Sequence, residues 1–414
     1  MEKAGTDTGS VTGNRETGKA KWTVMVYMAG DNNLDGAALR DIKEMAQVGS
    51  TKDVNVLVQL DRLEDKKTRR FLITKGGGYE RDCLETFGET NTGDPKVLED
   101  FLTWSTERYP AERYFLILWN HGSGWWEDAR SRAAAPKSPG ARSLRTRSRA
   151  SLFHHSTNAT GHSTHRSICY DDTSGGDALD NSELKNVLAR ACTAIGKKID
   201  ILGMDACLMT MVEIAWQLRG SVEILVGSEI EEPNDGWPYT GILSFLTAKP
   251  KSKTHVVAKE VVKQYVASYR DQGETVTQSA INTVATEAII RALIPLAAEL
   301  LSDLDKNRKL IKWAWDHAPK FYDDNYLDLY AFARKLRTKS KDRDRIREKA
   351  DALITALKMG KTKSLLCQGK LGTEVAGTKG LSIYFPADYI NPAYRRLDFA
   401  IDAQWAVLLE RVLG

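Results

Sequence analysis

The chain has 414 residues, 42% of them hydrophobic and ten of them tryptophan, enough to fill a sizeable core. No run approaches the roughly 18 apolar residues of a membrane span, which argues against a membrane protein. The net charge of +4 hides eight basic against two acidic residues in 127–167 and twelve against four in 334–363, leaving an acidic body; nucleic-acid binders need a basic folded face, so nucleic acid is not an expected partner.

Residues 1–21 are polar, rich in Gly and Thr and without an apolar stretch, so they read as a disordered tail and not a signal peptide. The run from Trp22 to Leu34 (WTVMVYMAGDNNL) predicts a buried strand ending in a polar turn, followed by a helix over 35–48. Val54–Leu60 reads as a second strand, Arg70–Thr74 as a third, and 96–108 as a helix. Tyr114–Trp119 (YFLILW) is a fourth strand that breaks at Asn120-His121-Gly122. A helix over 182–192 precedes a fifth strand, Ile199–Met204, which breaks at Asp205-Ala206-Cys207 into a predicted helix ending near Gly220. Glu223–Ser228 is a sixth strand. Strands alternating with helices predict a mainly parallel sheet covered on both faces.

Beyond Pro250 the pattern is mostly helical, over 255–270, 287–304, 309–315, 327–358 and 400–413, with Leu381–Phe385 expected to return one strand to the sheet. The expected plan is a tail over 1–21, one α/β domain over 22–250 and a mainly helical region over 251–414. One stretch, 129–166, consists of Arg, Ser, Ala, Pro, Gly and His with few large apolar residues. It cannot bury enough surface to offset an ordering cost of ~1–2 kcal/mol per residue, and is expected to be a mobile loop.

The five cysteines are odd in number and widely spaced, with no C-x-x-C, so neither a disulfide framework nor a zinc site is expected. Together with the lack of a signal peptide, this points to a reducing cytoplasm. Side chains just past the carboxyl ends of parallel strands share one crevice. His121 stands at one such end and Cys207 at another, where a helix N-terminus would favour thiolate. A thiol with an imidazole nearby can attack an acyl carbon, and the amides of Gly122 and Cys207 could face the developing oxyanion. Read singly, each residue has a plainer role, Cys207 as a small buried hydrophobe and His121 as a structural histidine.

Strand-His-Gly followed by strand-Asp-Ala-Cys resembles the caspase-like clan of cysteine peptidases. Within it, VYMAGDNNL, LWNHGSGW, GMDACLMTMVEIA, SEIEEPNDGWPY and GLSIYFP, in that order from about Trp22 to Pro386, resemble the clostripain family. The resemblance implies a caspase-like, mainly parallel sheet flanked by helices, with a helical C-terminal extension. It implies His121 as general base, Cys207 as nucleophile and cleavage after Arg or Lys. A basic side chain needs a close, partly desolvated carboxylate, for which Asp205 and Asp235 are the candidates; a helix N-cap and an Asp-Gly turn are their structural alternatives. Glu229, Glu231 and Glu232 could add negative potential.

Clostripain-like chains carry their processing site between the two strands, where this chain has RSLRTRSRA. The expectation is a zymogen that frees its cleft by self-cleavage after Arg142, Arg145, Arg147 or Arg149. No cofactor is required by this reading and no metal ligands are assigned, though Asp31-Asn32-Asn33 could ligate calcium, which some relatives use, or cap the next helix. The expected partners are peptides or proteins with Arg or Lys at the cleaved bond. Two rival readings are a non-catalytic binding protein that uses the same cleft and a polyanion binder acting through the arginine loop, whose binding would show steep salt dependence.

Overall fold

A computed structural model describes residues 19–125, 168–322 and 324–414. Among the described residues the strands are β1 (Ala20–Gly30), β2 (Val54–Arg62), β3 (Lys67–Leu72), β4 (Cys83–Thr86), β5 (Ala111–Trp119), β6 (Ile168–Asp171), β7 (Asp177–Leu179), β8 (Ile199–Asp205), β9 (Val222–Gly227), β10 (Val276–Asn282), β11 (Lys320–Phe321), β12 (Tyr326–Asp328), β13 (Leu365–Leu371) and β14 (Ser382–Tyr384). Nine of them form one sheet in the order β13-β10-β9-β8-β5-β1-β2-β3-β4. The five central strands, β9 to β2, run parallel; both edges turn antiparallel. The centre is covered on both faces and mainly apolar: every residue of β2 and of β8 is buried, including the polar Asn55, Gln59, Asp61, Arg62, Asp200 and Asp205.

Helices α1 (Asp35–Val48), α2 (Pro95–Arg108), α3 (Asn181–Ile195), α4 (Val212–Gln217), α5 (Tyr239–Ala248) and α6 (Thr254–Ser268) connect and cover these strands. Their starts are locally encoded. Asp94 accepts from the Lys96 amide with Pro95 in the first turn of α2, and Asp180 and Glu183 form a reciprocal capping box at α3, which ends on Gly196 in the left-handed conformation.

The C-terminal region departs from expectation in three ways. Two unforeseen strands, β10 and β13, complete the far edge of the sheet, so 251–414 is part of the same body. Leu381–Phe385 does not return to that sheet: β14 pairs with β12 in a separate three-stranded sheet and touches the main body through a bridge from Ser382 to Met211. The helix expected over 327–358 is two helices, α9 (Leu329–Lys339) and α10 (Asp344–Ala356), broken at residues 340–343. Helices α7 (Glu287–Ser302), α8 (Leu304–His317), α11 (Asp398–Asp402) and α12 (Trp405–Leu413) complete the chain.

This region also holds the turn after β5. Trp125 is fully buried, edge-on to Tyr384 and Tyr394 with ring centroids 4.7 and 4.8 Å away. The Tyr326 hydroxyl donates to the Ser123 carbonyl at 2.6 Å. Arg142, Arg145, Arg147 and Arg149 lie outside the described residues. No helix among the described residues is long and apolar enough to cross a membrane.

Candidate active site

In a doubly wound sheet the strand order reverses at one point, and the loops past the strand ends there line a crevice. Here the reversal falls between β1 and β5. Strands β5 and β8 are parallel neighbours with Trp119 opposite Asp205, and the pairing runs one step further as the Asn120 amide donates to the Asp205 carbonyl at 3.2 Å. His121 follows Asn120, and Cys207 follows Asp205 by two residues, so both stand on one rim. The backbones touch there: a Cβ on Gly122 would come under 3.0 Å from the Cys207 carbonyl oxygen. Glycine at 122 is thus required by a close approach and not by a turn.

His121 is buried and its Nε2 lies 2.7 Å from Asn33 Oδ1. An amide oxygen only accepts, so Nε2 carries the proton and Nδ1 is the basic nitrogen. Tyr170 packs edge-on at 6.4 Å. The turn bearing Asn33 is itself fixed: Asn32 Nδ2 donates to the Ala29 and Tyr170 carbonyls, both at 2.9 Å. Sequence reading had assigned the Asp31-Asn32-Asn33 turn to a cap or an ion and had missed that Asn33 orients the imidazole.

Cys207 does not begin a helix. It lies in a turn, Leu208 after it takes a left-handed φ of 67°, and α4 starts only at Val212. No helix terminus therefore lowers its pKa. Full burial pushes the thiol well above its usual value, and the carboxylates of Glu231, Glu232 and Asp205 add to the rise; the Glu232 N–H, donating to Sγ at 3.2 Å, works against it. The chain past Cys207 zips onto the loop after β9, through Leu208 N to Ile230 O at 3.1 Å and Thr210 N to Ser228 O at 2.9 Å. In this state the sulfur is covered and neutral.

Asp205 is fully buried and caps no helix. Its Oδ2 accepts from the Tyr239 hydroxyl at 2.8 Å and from the Trp237 amide at 3.4 Å. Burial raises its pKa to about 7, while Tyr239 and Glu232 hydrogen-bond to its charged form. Glu232 is pushed well above the carboxylate range, first by burial and then by Asp205, with the Trp237 and Gln278 side chains turned toward it. Burial and the neighbouring carboxylate thus favour the protonated form of Glu232. Asp235 is exposed, in the turn closed by Gly236 N to Pro233 O at 3.0 Å. That turn reaches the pair: Gly236 has φ +56°, and a Cβ on it would meet Asp205 Oδ1 at 3.2 Å. Glu232, treated from the sequence only as one of three carboxylates adding potential, is the buried partner of Asp205. Glu229 lies elsewhere, buried against Asp328 and Gly380.

The strand order, with a histidine and a cysteine past adjacent parallel strands, defines the class: a caspase-like α/β fold of the cysteine-peptidase kind. Two solved structures match it along almost the whole chain. An inactive zymogen C11 protease from Parabacteroides distasonis gives a TM-score of 0.68 at 19% identity, covering 94% of this chain and 99% of that one. A secreted C11 cysteine protease from Bacteroides thetaiotaomicron, in complex with an irreversible peptide inhibitor, gives 0.64 at 19% identity, covering 93% and 99%. A profile of the clostripain family matches residues 26–138 and 152–411, and the chain belongs to that family. Clostripain of Hathewaya histolytica is 27% identical over 259 residues, 55% of this chain and 42% of that protein, so the match spans less than half the length of the curated relative.

Proposed function

We propose that this chain is a cysteine endopeptidase that cleaves after Arg or Lys and activates itself by cutting its own arginine-rich segment. The observation that carries the proposal is the β5–β8 register, which sets His121 and Cys207 on one rim with the backbones of Gly122 and Cys207 in contact. Cys207 loses its proton to His121 as its sulfur attacks the scissile carbonyl carbon. The amides of Gly122 and Cys207 hold the oxyanion of the tetrahedral intermediate. His121 passes the proton to the departing amine, leaving an acyl-thioester. It then takes a proton from water, whose oxygen attacks the acyl carbon and releases the acid and the thiol.

Specificity rests on the buried Asp205–Glu232 pair, with Asp235 at its mouth. A guanidinium or ammonium bound there supplies the counter-charge that the pair lacks and favours its ionised form. Burial of Cys207 beneath the 228–232 strip, with its thiol held neutral, supports a resting form that opens on cleavage after Arg142, Arg145, Arg147 or Arg149.

Incubation with fluorogenic peptides ending in Arg, Lys or Asp, with sequencing of new amino termini, tests the proposal. Cleavage after Arg or Lys and an intact Cys207→Ala chain are expected. Cleavage only after Asp, or a Cys207→Ala chain still split at those arginines, would overturn it.

A further inference from the structure

The end of the molecule opposite the catalytic rim gathers lysines that the fold does not neutralise. The central strands begin there, with Trp22 of β1 opposite Val54 of β2 and Arg113 of β5, and Ile199 of β8 opposite Val222 of β9. Two further stretches reach the same end. The Pro250 carbonyl, just past α5, accepts from Trp22 Nε1 at 3.0 Å and from Arg113 Nη2 at 2.9 Å. Antiparallel β10 finishes there, with Asn282 opposite Ile224, and the Asn282 amide donates to the Ser364 carbonyl, just before β13, at 2.7 Å.

The first stretch, 249–259, carries Lys249, Lys251, Lys253, His255 and Lys259; the second, 358–364, carries Lys358, Lys361 and Lys363. Neither contains an acidic residue or an arginine. Lys259 is half-buried and the other six lysines are exposed. Among the described residues none of the seven forms an ion pair; nearby Glu260 is taken by Lys263 and Asp200 by Lys197. The two stretches lie close together: His255 is held below the usual imidazole range, first by burial and then by the charges of Lys361, Lys259 and Lys253. Helix α6 starts here with no side-chain cap and no acidic residue in its first turn, so its dipole adds to the positive potential. The acidic body read from the sequence does not extend to this end.

Aliphatic side chains stand exposed among these lysines. Val256 lies in the first stretch and Met359 in the second, and Val284 is exposed beside them, tied to the second stretch by the Ser364 hydroxyl, which donates to the Ala285 carbonyl at 2.6 Å. Like charges held together without counter-ions cost stability, and so does leaving aliphatic groups in water. One partner relieves both costs. We propose that this face docks the protein on an anionic lipid bilayer.

The composition of the face selects that partner. Flexible ammonium groups suit a mobile array of lipid phosphates, whereas nucleic-acid recognition draws on the planar fork of arginine, absent from both stretches. Single strands also need aromatic rings on which bases stack; the side chains exposed here are aliphatic and suit the boundary between headgroups and acyl chains. Attachment of this kind is peripheral and needs no spanning helix. Because the rim lies past the opposite ends of the strands, His121 and Cys207 would face away from the bilayer, toward protein in solution.

Full-length protein is sedimented with vesicles of phosphatidylcholine and phosphatidylserine, and with vesicles of phosphatidylcholine alone; neither readout depends on peptidase activity. Binding to the anionic vesicles alone is expected, weakening as salt is added. Each lysine at a bilayer surface contributes roughly fivefold, so Lys253→Gln with Lys361→Gln should weaken binding roughly 25-fold. Val256→Ser with Met359→Ser should weaken it severalfold and leave its salt dependence unchanged. Arg345→Gln, exposed at the other end of α10, should have no effect. These side chains are exposed, and melting confirms that each variant is folded. Equal binding to neutral vesicles, or no binding at low salt, overturns the proposal. So does binding that the paired lysine substitutions leave unchanged, as attachment through the arginine-rich segment would give, or binding of a DNA duplex by protein that ignores the vesicles.

Discussion

The contact between Gly122 and Cys207 makes a quantitative prediction. Gly122→Ala places a methyl carbon under 3.0 Å from the Cys207 carbonyl oxygen, where ordinary contact begins at 3.4 Å. Neither side gives way easily. The obstructing atom is backbone, and residue 122 is bridged to Ile168 on its other side while Trp125 is locked under Tyr384 and Tyr394. The two strand ends must therefore part by several tenths of an ångström, at a cost of about 1–3 kcal/mol for overpacking, or a few degrees of Tm. The same displacement moves His121, the Gly122 amide and Cys207 relative to one another. Errors approaching 1 Å in reacting groups cost ~10²-fold, so kcat/KM on an Arg peptide should fall about 30- to 100-fold, mainly in kcat. Melting and steady-state kinetics on pre-cleaved protein separate the two effects. A variant with unchanged kcat/KM and unchanged Tm would show that the two backbones do not meet, and the reasoning from register to rim would fail.

Asn33→Ala removes the acceptor that fixes the His121 tautomer, so kcat should drop roughly ten- to a hundredfold with KM little changed. Asn33→Asp should instead move the acidic limb of the kcat/KM pH profile to higher pH, because an anion beside imidazole raises its pKa and the general base must be neutral to act. Asp205 has a folded pKa of about 7 against an ordinary 3.8. The folded state binds that proton more readily than the unfolded one, so this contribution to stability is full below pH ~4 and is lost as pH rises toward 7. Asp205→Asn should therefore melt above wild type near pH 7 and lose that advantage near pH 4, as melting across that range would show; an identical pH slope in both proteins would count against the buried pair. Iodoacetamide should modify Cys207 slowly at pH 7 in a chain with all four candidate arginines changed to serine, and much faster once the native chain has been cut, as peptide mass spectrometry would report.

The legible part of the fold was its buried parallel centre. Tyr114–Trp119 is a continuous apolar run and Val54–Leu60 and Ile199–Met204 are predominantly apolar, because both faces of those strands are covered, and such runs announce themselves. The antiparallel edge strands β10 (VTQSAIN) and β13 (LLCQGKL) mix polar residues into their runs, and a helical reading of the surroundings absorbed them. Cys207 was placed correctly past its strand but wrongly on a helix, since the apolar spacing from Leu208 to Leu218 serves a turn, a bridge at Met211 and only six helical residues. Glu232 was out of reach for a different reason. Asp205 ends IDILGMD, a signal of a strand-end carboxylate, but nothing in the sequence brings Glu232 beside it, because that depends on a loop whose closure no local pattern encodes.

The residues that bound the arginine-rich segment predict whether the proposed self-cleavage is intramolecular. Trp125 and Ile168 bound residues 126–167, and Gly122 bridges Ile168, so the segment leaves and returns beside His121. On the proposed self-cleavage, a target joined covalently to that rim is met at an effective concentration of the order of millimolar, about a thousandfold above protein at micromolar concentration. The acidic rim of Asp205, Glu232 and Asp235 favours the encounter further, since residues 127–167 carry eight basic against two acidic side chains. The first cut should therefore be intramolecular, with a first-order rate constant that does not change over a hundredfold dilution. Cys207→Ala protein mixed with a trace of active enzyme should be cut at least a hundred times more slowly than the native chain cuts itself at the same concentration. Processing whose rate constant instead rises in proportion to protein concentration would mean that one chain cuts another, and that the segment, though it begins and ends at the rim, does not reach the sulfur it borders.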